Sequence, residues 1–181
     1  TRETLADPSI ILGILDEAHR AVPVDLVAGP SGYGLPLTAV RDVSERDLRL
    51  AFLASRNQPA ESGGTGGLTS LVRTLAQSSI PAVLTPGVIH LRSVPAYRKV
   101  NRVDMGTADK VCAAALGIWE YARRHGCDVR EASFILLELG GAFTAAVAVD
   151  QGVIVDGLGG TSGPLGARAV GALDGEVAYL A

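Results

Sequence analysis

Behind Asp7-Pro8-Ser9 the apolar residues Ile10, Ile11, Ile14, Leu15 and Ala18 recur at helical spacing, which predicts a helix over 8–21 with proline at its first turn. Val24 to Ala28 is a short run of buried-strand character, and it ends in the breakers Gly29-Pro30-Ser31-Gly32-Tyr33-Gly34, a loop. Ser44 with Asp47 three residues on has the form of a capping box. It opens a helix through Leu48, Leu50, Ala51 and Leu53 that is expected to end near Arg56-Asn57. Pro59 to Gly67, with Gly63-Gly64-Thr65-Gly66-Gly67, reads as a flexible segment, although a phosphate cradle is the other use of such glycines. Leu68 to Ser79 has an amphipathic helical pattern, and Pro81 to Leu91 is extended around Thr85-Pro86-Gly87.

The pattern changes in the second half. Thr107 is placed to cap a long helix over 108–125, with Gly126 in the C-cap role. From Ala132 the period becomes strand-like. Phe134–Leu139, Phe143–Val149 and Val153–Val155, separated by Gly140-Gly141 and Asp150-Gln151-Gly152, predict a three-strand meander. A glycine-rich loop, 157–164, follows, and Ala167 to Leu173 has the pattern of a further helix. The long helix is the expected boundary between residues 1–126 and 127–181.

Composition narrows the classes. With 48% hydrophobic and 19% charged residues in 181, the chain can bury a core and is not disordered as a whole. A net charge of −3 gives no general field for gripping nucleic acid, and no apolar run reaches the roughly 18–20 residues that a spanning helix needs. A cytoplasmic protein without nucleic-acid or membrane partners is expected. Cys112 and Cys127 lack zinc-site spacing and read as reduced packing residues. His19, His90 and His125 have no metal spacing either, and His125 is expected as a surface cation in the last turn of its helix. Ser31 lacks the nucleophile-elbow pattern. The chain opens at Thr1 without Met and closes just after the apolar run Val177–Leu180, so it reads as an excerpt.

Three segments are compatible with anions. In Glu138-Leu139-Gly140-Gly141-Ala142-Phe143-Thr144, two glycines beside a hydroxyl residue let backbone N–H groups converge on a phosphate, while an ordinary hairpin with glycines at positive φ is the plainer alternative. Asn101 to Lys110 sets Arg102, Asp104, Asp109 and Lys110 around a helix N-terminus, where orphan N–H groups attract negative charge. Here Arg98, Lys99 and Arg102 are equally readable as a solvated face. Gly159-Gly160-Thr161-Ser162-Gly163-Pro164 precedes Arg168, a residue type suited to bidentate recognition of phosphate or carboxylate.

Taken together, these segments resemble the acetate and sugar kinase, heat-shock chaperone and actin superfamily (ASKHA), and the second half is similar to its carboxylate kinases. Leu139-Gly140-Gly141 with Thr144, then Gly152 to Asp156, then Gly163-Pro164 and Arg168 follow the order of that group's second phosphate loop and its successors. Gly106-Thr107-Ala108-Asp109-Lys110 resembles the Gly-Thr-Ser-His-Lys stretch of acetate kinases. The Gly-Pro-Ser-Gly loop, the run from Asn101 to Lys110 and the Glu-Leu-Gly-Gly hairpin are similar to an uncharacterised family of predicted butyrate kinases, over nearly the whole chain.

The resemblance implies an α/β, two-lobed ribonuclease-H-like (actin-like ATPase) architecture, of which this chain is a central portion. It implies ATP and Mg2+ and phosphoryl transfer to a small carboxylate, with a homodimer left open. Arg102, Asp104, Lys110 and Arg168 would serve catalysis by positioning and charge neutralisation. Glu138, Gly140, Gly141, Thr144, Gly159, Gly160 and Thr161 would bind nucleotide phosphates. Two departures bear on chemistry. Glu138 stands where carboxylate kinases carry His, and an acid there can hold magnesium through water or repel phosphate. Met105 stands where acetate kinases have a His. The Asp-x-Gly-Thr first phosphate loop and the late adenosine motif do not occur in residues 1–181, so this stretch alone is not expected to turn over ATP. A non-catalytic nucleotide sensor or assembly protein, and an α/β domain whose glycines only turn the chain, are the alternatives.

Overall fold

The computed structural model describes residues 7–29, 32–53, 66–161, 163, 166, 167, 169, 171 and 180. Pro30, Ser31, Pro59 to Thr65, Ser162, Pro164, Arg168 and most of 167–173 lie outside the described residues. The protein is mixed α/β and divides into two compact units, Thr1–Thr85 and Pro86–Ala181. Among the described residues no helix is long and apolar enough to cross a membrane.

In the first unit, helix α1 (Ser9–Ala21) is preceded by Pro8 in helical conformation, and Asp7 accepts the Ser9 N–H at 3.1 Å, so the proline start predicted from sequence is in place. Strands β1 (Val27–Gly29), β2 (Thr38–Ala39) and β3 (Ala82–Leu84) form a small sheet in the order β1-β3-β2, with β1 parallel and β2 antiparallel to β3. The first strand starts later than Val24 because its ladder begins where the Val27 N–H meets the Pro81 carbonyl, at 2.8 Å.

Helix α2 (Glu45–Ala51) is opened by the capping box expected of Ser44 and Asp47: the Ser44 hydroxyl accepts the Asp47 N–H, and the Asp47 carboxylate accepts the Ser44 N–H. It ends at Ala51, with Phe52 and Leu53 in a turn, short of Arg56-Asn57. Helix α3 (Gly66–Ala76) sits two residues earlier than the predicted 68–79 at its start and three at its end. Leu48, Phe52, Leu71, Val72, Leu75 and Leu84 form the buried core between these helices and the sheet.

The second unit begins with a single turn of 3-10 helix, Val88–His90, inside the stretch expected to be extended, and the short helix α4 (Ala96–Lys99). Helix α5 (Ala108–His125) has the predicted limits, and Gly126 closes it at φ 63°, the left-handed conformation that glycine adopts without steric cost. Thr107 does not cap it: its hydroxyl donates to the Asp109 carboxylate instead. The meander β4 (Phe134–Leu139), β5 (Thr144–Asp150) and β6 (Val153–Leu158) is antiparallel throughout, and β6 runs three residues beyond the expected Val155.

Alternation places Phe134, Leu136, Val147, Val149 and Ile154 on one face, packed on Val88, Met105, Val111, Ala114 and Ile118. Gly117 permits the contact between helix and sheet, since a Cβ there would lie 2.9 Å from the Phe134 ring. The opposite face exposes Ile135, Leu137 and Leu139. The long helix expected to mark a boundary thus lies inside the second unit, against its sheet. Cys112 is exposed on α5, so only Cys127, half-buried, fits the packing role; both are free thiols.

Candidate functional site

The segments singled out from sequence meet at one end of the meander. Asp104, in the loop before α5, is 4% exposed. One carboxylate oxygen accepts the Gly106 N–H at 2.9 Å. The other accepts both the N–H of Thr161 at 3.0 Å and its hydroxyl at 2.9 Å. A buried carboxylate requires such donors, because burial without partners would cost several kcal/mol. The Gly159 α-carbon rests directly on the Asp104 carboxylate, where any Cβ would collide. At Gly157 a Cβ would run into the Met105 carbonyl, and at Gly163 into that of Gly159. These glycines of β6 and its following loop are therefore places of close backbone approach. The isolated glycine inside a strand, Gly157, carries that signal in the sequence.

Next to this knot, Lys110 in the first turn of α5 reaches the sheet. Its Nζ donates to Asp109 Oδ2 at 2.6 Å and to Glu138 Oε1, on β4, at 2.7 Å. Burial disfavours the ammonium, but the hydrogen bonds and charges of Asp109 and Glu138 outweigh it, so the Lys110 pKa stands above its ordinary value. For Asp109 burial pushes upward, and the bonds from Lys110 and Thr107 prevail, leaving its pKa lowered. The cluster is a cation held between two carboxylates at a helix N-terminus.

Two residues beyond Glu138 comes the hairpin tip. The Gly140 N–H donates to the Phe143 carbonyl at 3.0 Å, and a Cβ on Gly140 would sit 2.8 Å from that oxygen. Neither Gly140 nor Gly141 has a positive φ, so the plainer sequence alternative is not the reason for this pair. Gly141 is exposed and faces open space among the described residues. Gly160 and Gly166 pack on the same turn: a Cβ on Gly160 would lie 2.6 Å from the Phe143 Cβ, and one on Gly166 2.8 Å from the Ala142 carbonyl oxygen. Hairpin tip, glycine loop, Asp104 and Lys110 are in this way one packed group.

The remaining candidates lie elsewhere. Thr144 pairs with Leu139 and belongs to the outer face of the sheet, away from Glu138 on the inner one. Arg102 is exposed in the loop after α4. Arg98 is ion-paired with Asp156 on β6, and Lys99 Nζ donates to the Leu91 carbonyl at 2.8 Å, so two of the three basic residues are anchored and not merely solvated. The pairings of Lys110 with Glu138 and of Arg98 with Asp156 are what sequence reasoning did not supply, since pairing across 28 or 58 residues leaves no local signal. His90 is half-buried, and burial holds its pKa below the ordinary value. His125 is exposed and bonded through Nδ1 to the Tyr121 carbonyl at 2.8 Å. Among the described residues no group of three or more His, Cys, Asp or Glu could hold a metal.

Comparison with curated proteins yields no match. The profile of one family, described as "Protein of unknown function (DUF1464)", matches residues 1–181, the entire chain with its Asp104 knot and Lys110 cluster. The protein therefore belongs to the DUF1464 family.

Proposed function

We propose that the end of the meander that carries Lys110, Gly140-Gly141 and Gly159-Gly160-Thr161 binds the phosphates of ATP, and that the protein takes part in phosphoryl transfer to a small carboxylate. One observation carries this reading: two glycine turns from different strand connections pack together beside a half-buried ammonium at a helix N-terminus, and Gly141 stands open among the described residues. Open backbone, positive charge and helix dipole are the features that anions seek. The likeness of the hairpin and of Gly106 to Lys110 to the carboxylate kinases of ASKHA supports the same assignment and an actin-like two-lobed architecture for the complete protein.

In the reaction a carboxylate oxygen forms a bond to the γ-phosphorus as the bond to the ADP oxygen breaks, giving an acyl phosphate and ADP. Lys110 would neutralise phosphate charge, and the tip of the hairpin would orient the chain of phosphates. Magnesium would shield that charge when bound. The donor set fits an ion carried mainly by the nucleotide, with Glu138, whose Oε1 is already held by Lys110, contributing at most through water. Arg102 and Arg168 are the further clamps of this proposal.

A second reading, a nucleotide sensor without transfer chemistry, is favoured by the fact that Lys110 is already compensated by two carboxylates. A single experiment separates the two. The complete polypeptide is incubated with Mg-ATP, short carboxylates and hydroxylamine, alongside Gly141→Val. Acyl hydroxamate that requires both ATP and acid and disappears in a folded Gly141→Val protein supports the kinase. ATP binding without hydroxamate leaves the sensor, and absence of binding refutes both.

A further inference from the structure

We propose that Asp104 is the positioning residue of this site: a buried clasp that holds the Gly159–Thr161 loop in its phosphate-receiving form and locks it to the start of α5. The inference rests on the phosphate-binding reading of that end of the sheet. Asp104 takes up donors from two segments more than fifty residues apart in the chain, Gly106 on one oxygen and Thr161, through both N–H and hydroxyl, on the other. Four residues after Gly106 comes Lys110, and two residues before Thr161 Gly159 lies on the carboxylate itself. A single charge therefore fixes both the loop and the register of the helix turn that presents the ammonium. Being 4% exposed and covered by Gly159, the carboxylate acts on a ligand through the loop and not by contact.

The chemistry of the clasp makes it specific to an ionised acid. Both oxygens receive donors, and a carboxylate can accept on both. In Asp104→Asn the shape is kept, but one oxygen becomes an NH2 group, and whichever way the amide turns it points a donor at a donor, either Gly106 or Thr161. Thr161→Val removes the hydroxyl strap alone.

The test measures Mg-ATP affinity of the full protein together with amide exchange at Thr161. Asp104→Asn and Thr161→Val are expected to bind Mg-ATP about tenfold or more weakly, the effect of one charge-assisted bond. The Thr161 amide should exchange faster in Asp104→Asn, with the amides of β4 and β5 still protected. Faster exchange at Thr161 with unchanged Mg-ATP affinity would overturn the proposal and leave Asp104 a purely structural anchor. If Asp104→Asn does not fold, Thr161→Val decides by the same affinity criterion. Failure of the unmodified protein to bind Mg-ATP would be a different result, removing the phosphate-binding reading and the clasp's role in it together.

Discussion

Replacing Glu138 with Gln gives two changes of opposite sign. Gln preserves the length of the side chain and an oxygen to accept from Lys110, so what disappears is the negative charge at 2.7 Å from Nζ. Side-chain exposures of 14% for Lys110 and 40% for Glu138 put the pair between a buried and a surface ion pair. Charge-assisted bonds are roughly twice as strong as neutral ones, and solvent screening reduces the difference here to about 1 kcal/mol. For a protein of this size that lowers the thermal midpoint by about 2–4 °C. The same change frees Lys110 from one of its two counter-charges, so an incoming polyphosphate meets a less compensated ammonium. A gain of about 1 kcal/mol corresponds to roughly fivefold tighter binding. Calorimetric titration with inorganic pyrophosphate in EDTA reads this directly, and the gain should shrink as added salt screens the charges. A protein that is less stable yet binds pyrophosphate more tightly meets the expectation. Unchanged or weaker pyrophosphate binding would refute the assignment of Lys110 to the anion.

Three other outcomes are expected. Leu84→Ala, at a fully buried position on the central strand of the first unit's sheet, should cost about 2–5 kcal/mol in urea denaturation. Gly157→Ala should cost more than about 3 kcal/mol by thermal melting followed by circular dichroism, because the clash is with the Met105 backbone and not with a side chain that can swing away. Glu120, hydrogen-bonded first by Arg123 and then by Arg124, has its pKa lowered from 4.5 to about 2. Its stabilising contribution is accordingly present above the ordinary carboxylate range and is lost as pH falls through about 2. Carboxylate resonances followed by NMR should show that midpoint, and Arg123→Ala combined with Arg124→Ala should return it towards 4.5.

Where a local rule decides the structure, the sequence was a good guide. Ser44 and Asp47 are three residues apart and satisfy each other, and Gly126 ends α5 where the left-handed turn is needed. The meander followed from period-two alternation and its turns. Edges moved where pairing with a distant strand decides them, as with β1, which waits for Pro81. Thr107 had the right type and place for a cap, and lost its hydroxyl to the neighbouring Asp109. At the candidate site, most of the component residues were visible as glycine clusters and charged runs, but not their connections. The bond from Asp104 to Thr161 and the bridge from Lys110 to Glu138 exist only once the meander and α5 are packed. Thr144, assigned with them from its nearness to Gly141, was carried to the other face by the alternation of its own strand.

Gly117 gives the helix–sheet contact a further meaning. In the middle of an 18-residue helix, glycine is about 1 kcal/mol less favourable than alanine, so this position holds the poorer helix former. With a Cβ 2.9 Å from the tip of the Phe134 ring, alanine would make either the ring or the helix shift. Lys110 rides on the same helix two turns earlier, and Phe134 begins the strand that carries Glu138. The contact of these layers at Gly117 thus belongs to the same frame that sets ammonium against carboxylate, and a methyl group there would press on that frame without touching Lys110 or Glu138.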